Sequence, residues 1–307
     1  MMVHGSLVVL AAGMGSRYGG LKQMAPVGPN GELLIEYSIH DALLAGFRHV
    51  VFVIQKDQES AFRELLRRKL TGCCDISYAH QEVADLPSGI AVPPERQKPW
   101  GTGHAVLSCR DVVDGPFAVI NADDFYGRDS YAQIADFLGR KGGSTGDAAL
   151  VGFDLKSTLS THGTVSRGVC RVDKAGFLIS IEEQPNVGLK DGWPVSWDSD
   201  GNAHNLPGDS IASMNMWAFP SQFMQELGGR FSRFLEADDT DPVRDEFFLP
   251  AAVGSLMEEG NACVRVLPTV AQWIGVTYRE DLARVREAIQ ELIDRGVYPS
   301  ELWAGQL

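Results

Sequence analysis

What this sequence lacks narrows its class before any motif is considered. A bilayer span needs about 18–20 consecutive apolar residues, and none of the apolar runs reaches that length. No basic segment precedes the first apolar run, so no secretion signal is expected. Cysteine is scarce: five residues, at 73, 74, 109, 170 and 263, odd in number and without the spacing of metal ligands. Cys73 and Cys74 are adjacent, which suits neither a zinc site nor a mutual disulfide. Reduced thiols in a cytoplasmic protein are the expectation. Basic residues are outnumbered, 27 Lys and Arg against 40 Asp and Glu, giving a net charge of −13. That excludes a broad nucleic-acid-binding surface, and no membrane partner is expected. Any phosphate ligand must then be met by a few placed cations and a metal. Internal repeats, charged tails and flexible linkers are missing too, so the 307 residues are expected to form one domain.

What is present is an alternation. "LVVLAA" at 7–12 reads as a strand with no polar face, and "LIEYSIHDALLAG" at 34–46 has helical spacing up to Gly46. The strand "HVVFVI" (49–54), the amphipathic "QESAFRELLRRKL" (58–70) and the strand "CDISYAHQ" (74–81) follow. Residues 82–98 carry three prolines and read as an insertion or lid. "GTGHAVLSCRDVV" (101–113) reads as a helix, and "PFAVINADDF" (116–125) as a strand emerging into an acidic tip. Such alternation predicts an α/β fold: a Rossmann-like, mixed, mostly parallel sheet flanked by helices. The second half is less regular. "DAALVGFDL", "VCRVD", "FLISIEEQ" and "SMNMWAFP" are candidate strands, and "EDLARVREAIQELIDRG" (280–296) is an amphipathic helix. "FFLPAAV" is expected to be a helix docked on the core, with Asp245 near its N-terminus, where negative charge is favourable.

Between the first strand and helix lies "GMGSRYGGLKQ" (13–23), with four glycines, Arg17 and Lys22. A dinucleotide fingerprint fails because Tyr18 stands where its third glycine belongs, and Gln55 and Lys56, not an acid, follow the next strand. A P-loop fails because Leu21 separates Gly20 from Lys22 and no Ser or Thr follows. Two readings are left. One is a glycine-rich strand-to-helix turn; the other is a loop that wraps a triphosphate with backbone amides and adds two cations.

"LAAGMGSRYGGLKQMAPV", with the helix and strand that follow it, resembles the glycine-rich signature of the sugar-1-phosphate nucleotidyltransferases, such as glucose-1-phosphate thymidylyl- and uridylyltransferases. The likeness extends over most of the chain. "AHQ" (79–81) and "GTGHAV" (101–106) are similar to the segments that contact base and ribose, "NADDFYG" (121–127) to the acidic strand end that holds magnesium, and "HGTVSRG", "IEEQP" and "SMNMWAF" to the sugar pocket. The resemblance implies a nucleotide-binding half over about 1–130 and a sugar-binding lobe with C-terminal helices over about 131–307. It implies Mg²⁺ as cofactor and two small-molecule substrates, a nucleoside triphosphate and a sugar 1-phosphate. Leu10, Ala11, Ala12, Gly13, Gly15, Gln81, Gly101 and Thr102 would bind the nucleotide, with uridine or thymidine favoured. Arg17, Lys22 and Asp123 would be catalytic, Asp123 as the metal ligand, with Asp124 on the other side of the strand capping the next turn. Gly163, Glu183, Asn215 and Arg167 would hold the sugar phosphate.

Two departures from that pattern stand out. The lysine that usually follows the pocket glutamate is Gln184 here, and Gly275 in "WIGVT" stands where a second metal-binding aspartate is common. Arg167 and Lys156 are the candidate replacement cations, and Asp281 either approaches the metal or starts the last helix. The departures keep two alternatives open. One is a cytidylyl- or guanylyltransferase acting on a non-sugar phosphate; the other is a nucleotide sensor without activity. No protein general base is expected, because the attacking phosphate is already ionised.

Overall fold

The computed structural model describes residues 3, 5–13, 25–70, 72–140, 147–160, 163–275 and 281–304. The first apolar run forms β1 (Ser6–Leu10) and is buried almost throughout. It is followed by α1 (Leu34–Ala45), β2 (His49–Ile54), α2 (Glu59–Leu70), β3 (Asp75–His80), α3 (Thr102–Leu107) and β4 (Phe117–Asn121). β1 lies between β2 and β4, parallel to both, and β3 extends the parallel ladder beyond β2. Strands buried on both faces need no polar side, which is why β1 and β2 carry unbroken aliphatic runs. α1 stops at Gly46, whose φ of 108° is the left-handed C-cap that a Cβ would disfavour. α3 is shorter than the expected 101–113; after Leu107 the chain continues in turns.

The rest comprises β5 (Asp124–Phe125), α4 (Arg128–Gly139), β6 (Asp147–Asp154), β7 (Val165–Val172), β8 (Leu178–Lys190), β9 (Trp193–Trp197), β10 (Ala203–Asn205), β11 (Ile211–Phe219), α5 (Phe223–Glu236), α6 (Leu249–Glu258), β12 (Cys263–Pro268), β13 (Ile274–Gly275) and α7 (Asp281–Asp294). The large sheet runs β10-β9-β8-β7-β11-β4-β1-β2-β3, with β6 against β11 and β12. β4, β1, β2 and β3 thus form a parallel wing, and an antiparallel meander, β7 to β10, forms the other, with the parallel pair β6 and β12 alongside β11.

β11 joins the two wings and forks between them. One edge pairs with β6; the other pairs first with β7, through Ile211–Ser213, and then with β4, through Trp217–Phe219. The register slips between Ser213 and Trp217, and Asn215 sits inside the slip with a φ of 61°. Asn tolerates that left-handed region better than other side chains except Gly. A sheet that splits along one edge leaves a gap at the fork, and the gap opens at the carboxyl end of β4.

Two expectations are corrected. Residues 82–98 are not a free lid. The Arg96 guanidinium lies 3.7 Å from the Trp100 ring centroid and donates to the carbonyls of Lys98, Pro99, Pro242 and Asp245. Trp100 Nε1 donates to the Val83 carbonyl and His104 Nε2 bonds that of Asp85, so the segment is strapped down at both ends. Asp245 is likewise not in the first turn of its helix. With Pro250 in its first turn, α6 begins at Leu249, and the Asp245 carboxylate instead accepts from the Asp241 backbone N–H at 2.9 Å.

Candidate active site

At the fork, a cleft of about 780 Å³ is lined at one end by Thr102, Asn121, Asp124, Ser166, Glu183 and Asn215. In open α/β sheets ligands bind beyond the carboxyl ends of parallel strands, where strand order reverses. Asn121 ends β4 and Asn215 lies in the β11 slip, so the fold brings together residues nearly a hundred apart in sequence.

Their amides form a directed chain. Trp217 Nε1 donates to Asn215 Oδ1 at 3.0 Å, Asn215 Nδ2 donates to Asn121 Oδ1 at 2.8 Å, and Asn121 Nδ2 donates to Asp124 Oδ2 at 2.8 Å. The indole is a donor only, so it fixes Asn215, which in turn fixes Asn121. The buried Tyr126 hydroxyl adds contacts to Asp124 Oδ2 at 3.2 Å and to the Met214 carbonyl at 2.9 Å. Burial, with Asp124 alongside, pushes the Tyr126 hydroxyl pKa well above its ordinary range and keeps it protonated. Each amide retains one N–H and one lone pair beyond the chain. They are oriented groups rather than spent ones. Nothing in "NADDFYG" marks Asn121 for this role; only the fold shows that it links the two wings.

Asp123 is half-buried at the strand tip, and Asp124 is buried in β5 opposite Gly275 of β13. A Cβ at Gly275 would stand 2.3 Å from the Trp273 ring and 3.0 Å from Asp124 Oδ1. The space of a residue-275 side chain is therefore already taken, which accounts physically for the missing aspartate. Among the described residues no group of three or more His, Cys, Asp or Glu is arranged to hold a metal. Asp123 and Asp124 fit a magnesium site of the sparse kind: hard oxygen donors, one or two carboxylates, the other positions left to phosphate and water. Asp281 is buried at the first position of α7.

Glu183 and Gly168 are paired across β8 and β7, and the Glu183 carboxylate accepts from the Ser166 hydroxyl. Arg167 is opposite Gln184. Its guanidinium is held by the Thr158 carbonyl at 2.5 Å and the Ser166 carbonyl at 2.7 Å, with the Trp273 ring centroid 5.0 Å away. Burial lowers its pKa, while the Asp124 and Glu183 charges act in the opposite direction; arginine stays protonated through such shifts. Lys156 is exposed in a short 3₁₀ turn, Leu155–Thr158. Gly163 is exposed, does not line the cleft, and a Cβ there would meet nothing within 4 Å.

Among the residues expected to bind a nucleotide, the Ala11 N–H bonds the Val53 carbonyl, the Leu10 carbonyl accepts from Ala122, and the Ala12 carbonyl accepts from Gln55. Gln81 is buried and its amide donates to the Gly101 carbonyl at 2.9 Å. Gly101 has a φ of 95°, and its missing Cβ would lie 2.8 Å from the Phe247 carbonyl oxygen, so glycine is required there twice over. Thr102 Oγ1 accepts from the Leu249 N–H at 3.0 Å, joining α3 to α6. Gly13 is exposed at the end of β1. Gly15, Arg17 and Lys22 lie outside the described residues.

No curated protein matches the sequence. Solved structures share its fold. An assigned glucose-1-phosphate thymidylyltransferase from Bacillus anthracis, in complex with sucrose, superposes with a TM-score of 0.63 at 16% identity, over 93% of this chain and 95% of that one. A UDP-glucose pyrophosphorylase complexed with UDP-glucose gives 0.58 at 18%, over 95% and 99%. The inositol-1-phosphate CTP transferase from T. maritima gives 0.58 at 12%, over 95% and 97%. At such identities the likeness is one of fold. The nucleotidyl transferase family model, in contrast, matches the sequence itself from residue 6 to residue 289. With that match spanning both wings and the fork between them, the chain belongs to the nucleotidyl transferase family, enzymes that transfer nucleotidyl groups.

Proposed function

We propose that the cleft joins a nucleoside triphosphate, UTP or dTTP by preference, to a sugar 1-phosphate in a Mg²⁺-dependent reaction. A phosphate oxygen of the acceptor attacks the α-phosphorus in line, one new P–O bond forms, and the bond to the β-phosphate oxygen breaks to release pyrophosphate. The carrying observation is the fork, where Asn121, Asp124, Glu183 and Asn215 converge at the carboxyl end of β4. In this reading Glu183 accepts hydrogen bonds from sugar hydroxyls, and the amide chain presents Asn215 in one orientation. Asp123 would hold the metal, which when bound would supply positive charge to the phosphates. Arg17 and Lys22 neutralise the pyrophosphate and the α-phosphate. Chemistry of this kind depends on positioning and charge more than on a protein nucleophile. Losing one preorganised charge typically costs about 10²-fold or more in turnover, so Lys22→Ala is expected to fall by at least that much.

A second reading, cytidylyl transfer to a non-sugar polyol phosphate, has one observation in its favour. Gln184 gives the acceptor phosphate no cation, and the nearby Arg167 guanidinium is already held by backbone carbonyls. The two readings separate in a panel of triphosphates against phosphate acceptors, with pyrophosphate release as readout, with and without Mg²⁺. The first predicts release with a hexose 1-phosphate and metal. Turnover with non-sugar phosphates, and none with any sugar 1-phosphate, would establish the second.

A further inference from the structure

Most of the cleft is not polar. Beyond Glu183 it runs between β8 and α6, and both walls are mainly apolar, with Ser180 on the strand and Ser255 on the helix as the uncharged polar groups among the lining residues. Along β8, Ile179, Ile181 and Glu183 alternate onto one face, so the carboxylate is followed by two branched aliphatic side chains at steps of about 6.6 Å. The opposite wall is α6. Its inner face, Leu249, Ala252, Val253 and Leu256, is buried in the core. Its outer face presents Pro250, Ala251, Gly254 and Met257 to the cleft, with Phe248 at the helix entrance, and no charge appears before Glu258. A helix face turned to water is ordinarily polar. This one is not, and neither is the strand across from it: Ile179 and Phe248 are 52% and 50% exposed.

The nucleotide does not account for this space. Of the described positions assigned to it, only Thr102 lines the cleft. A hexose phosphate held at Asn215 and Glu183 does not account for it either, since its hydroxyls would gain nothing against Ile179 and Met257. The volume of about 780 Å³ is that of a site for a drug-sized ligand, which typically spans about 300–1,000 Å³.

We propose that the acceptor is a phosphate ester whose polar head sits at Asn215 and Glu183 and which carries an apolar substituent, an alkyl or aryl group, seated between Ile179 of β8 and the outer face of α6. The proposal rests on reading the polar end as the acceptor site, and it adds what the far end recognises. Gly168 also lines the cleft. Gly168 lies beneath Ile181, Ser213 and Glu183, and a Cβ there would come within 3.1 Å of Ile181 and 3.7 Å of the Glu183 carboxylate.

The test measures binding without turnover, so a failure of the nucleotidyl-transfer reading leaves it intact. Calorimetry compares hexyl with methyl glucoside, and hexyl with methyl phosphate, on the full chain. Each methylene removed from water contributes about fourfold in affinity, so burial of only part of the hexyl chain predicts at least about tenfold tighter binding than methyl in one pair or both. Ile179→Ser and Phe248→Ser are expected to abolish that difference and leave the methyl compounds unchanged. Ile179 is half in solvent, and serine is a favourable residue at the N-cap position that Phe248 occupies, so both variants are expected to fold. No chain-length dependence in either pair, including no binding at all, would overturn the proposal, as would a dependence that both variants retain.

Discussion

Asn215 combines two demands that substitution can separate. Its backbone takes a φ of 61° at the fork, and its amide receives the Trp217 indole and donates to Asn121. Asn215→Gly and Asn215→Ala lose the amide equally, but only Ala meets the left-handed penalty, about 1–2 kcal/mol. In denaturant titrations the Gly variant is expected to be the more stable by that margin; equal midpoints would show that the bend is not under strain. Asp123 and Asp124 separate in a similar way. Asp124 Oδ2 receives two donors, and exchanging a charged acceptor for a neutral one weakens each bond by about 1 kcal/mol. Asp124→Asn is therefore expected to lose stability of that order, while Asp123→Asn loses Mg²⁺ affinity in a direct metal titration. A larger loss of Mg²⁺ affinity in the Asp124 variant would reverse the roles. Asp123, Asp124, Glu183 and Asn215 stand out in the sequence only through the resemblance of their motifs, because acids and amides by themselves are common on any solvated loop. The Asn121–Asn215 bond was not legible there, since nothing in a linear pattern indicates that two strands from different wings end side by side.

At the scale of elements, the strapped loop and α3 carry a pH signature. His104 is fully buried, with Nε2 on the Asp85 carbonyl at 2.9 Å, and burial holds its pKa below the ordinary 6.5. Between that lowered value and about 6.5 the unfolded chain binds a proton that the folded chain does not, so stability falls as pH drops through this window. Asp85, held below the usual carboxylate range by its hydrogen bond to Arg110, loses its contribution only at lower pH. Unfolding free energies from pH 7.5 to 5 are expected to decline, and His104→Gln to flatten the decline; an unchanged slope in the variant would place the effect elsewhere. The parallel wing could be read from sequence because strands buried on both faces have an unmistakable composition. The antiparallel wing was harder. β8 runs for 13 residues with mixed exposure, and α6 is apolar on both faces, so neither shows the alternation or the stripe that identifies an element. The helix starts at Leu249 rather than near Asp245 because Pro250 suits the first turn, a local signal that the charge of Asp245 masks in the linear pattern.

For the whole molecule, the two wings meet along one strand, and the cleft exists because β11 changes partners there. In the proposed reading, such a fork would take the nucleotide from the parallel side and the acceptor from the meander, an arrangement that suits an in-line transfer between two substrates. No helix among the described residues is long and apolar enough to cross a membrane. The central claim is the identity of the group that moves. It is tested by incubating the protein and Mg²⁺ with glucose 1-phosphate and UTP or dTTP labelled either at the α- or at the γ-phosphorus. Transfer of a nucleotidyl group predicts that the α-label appears in a new nucleotide-linked sugar, in one-to-one proportion with γ-label in pyrophosphate. Passage of the γ-label to the acceptor, or α-label only in free nucleoside monophosphate, would contradict it.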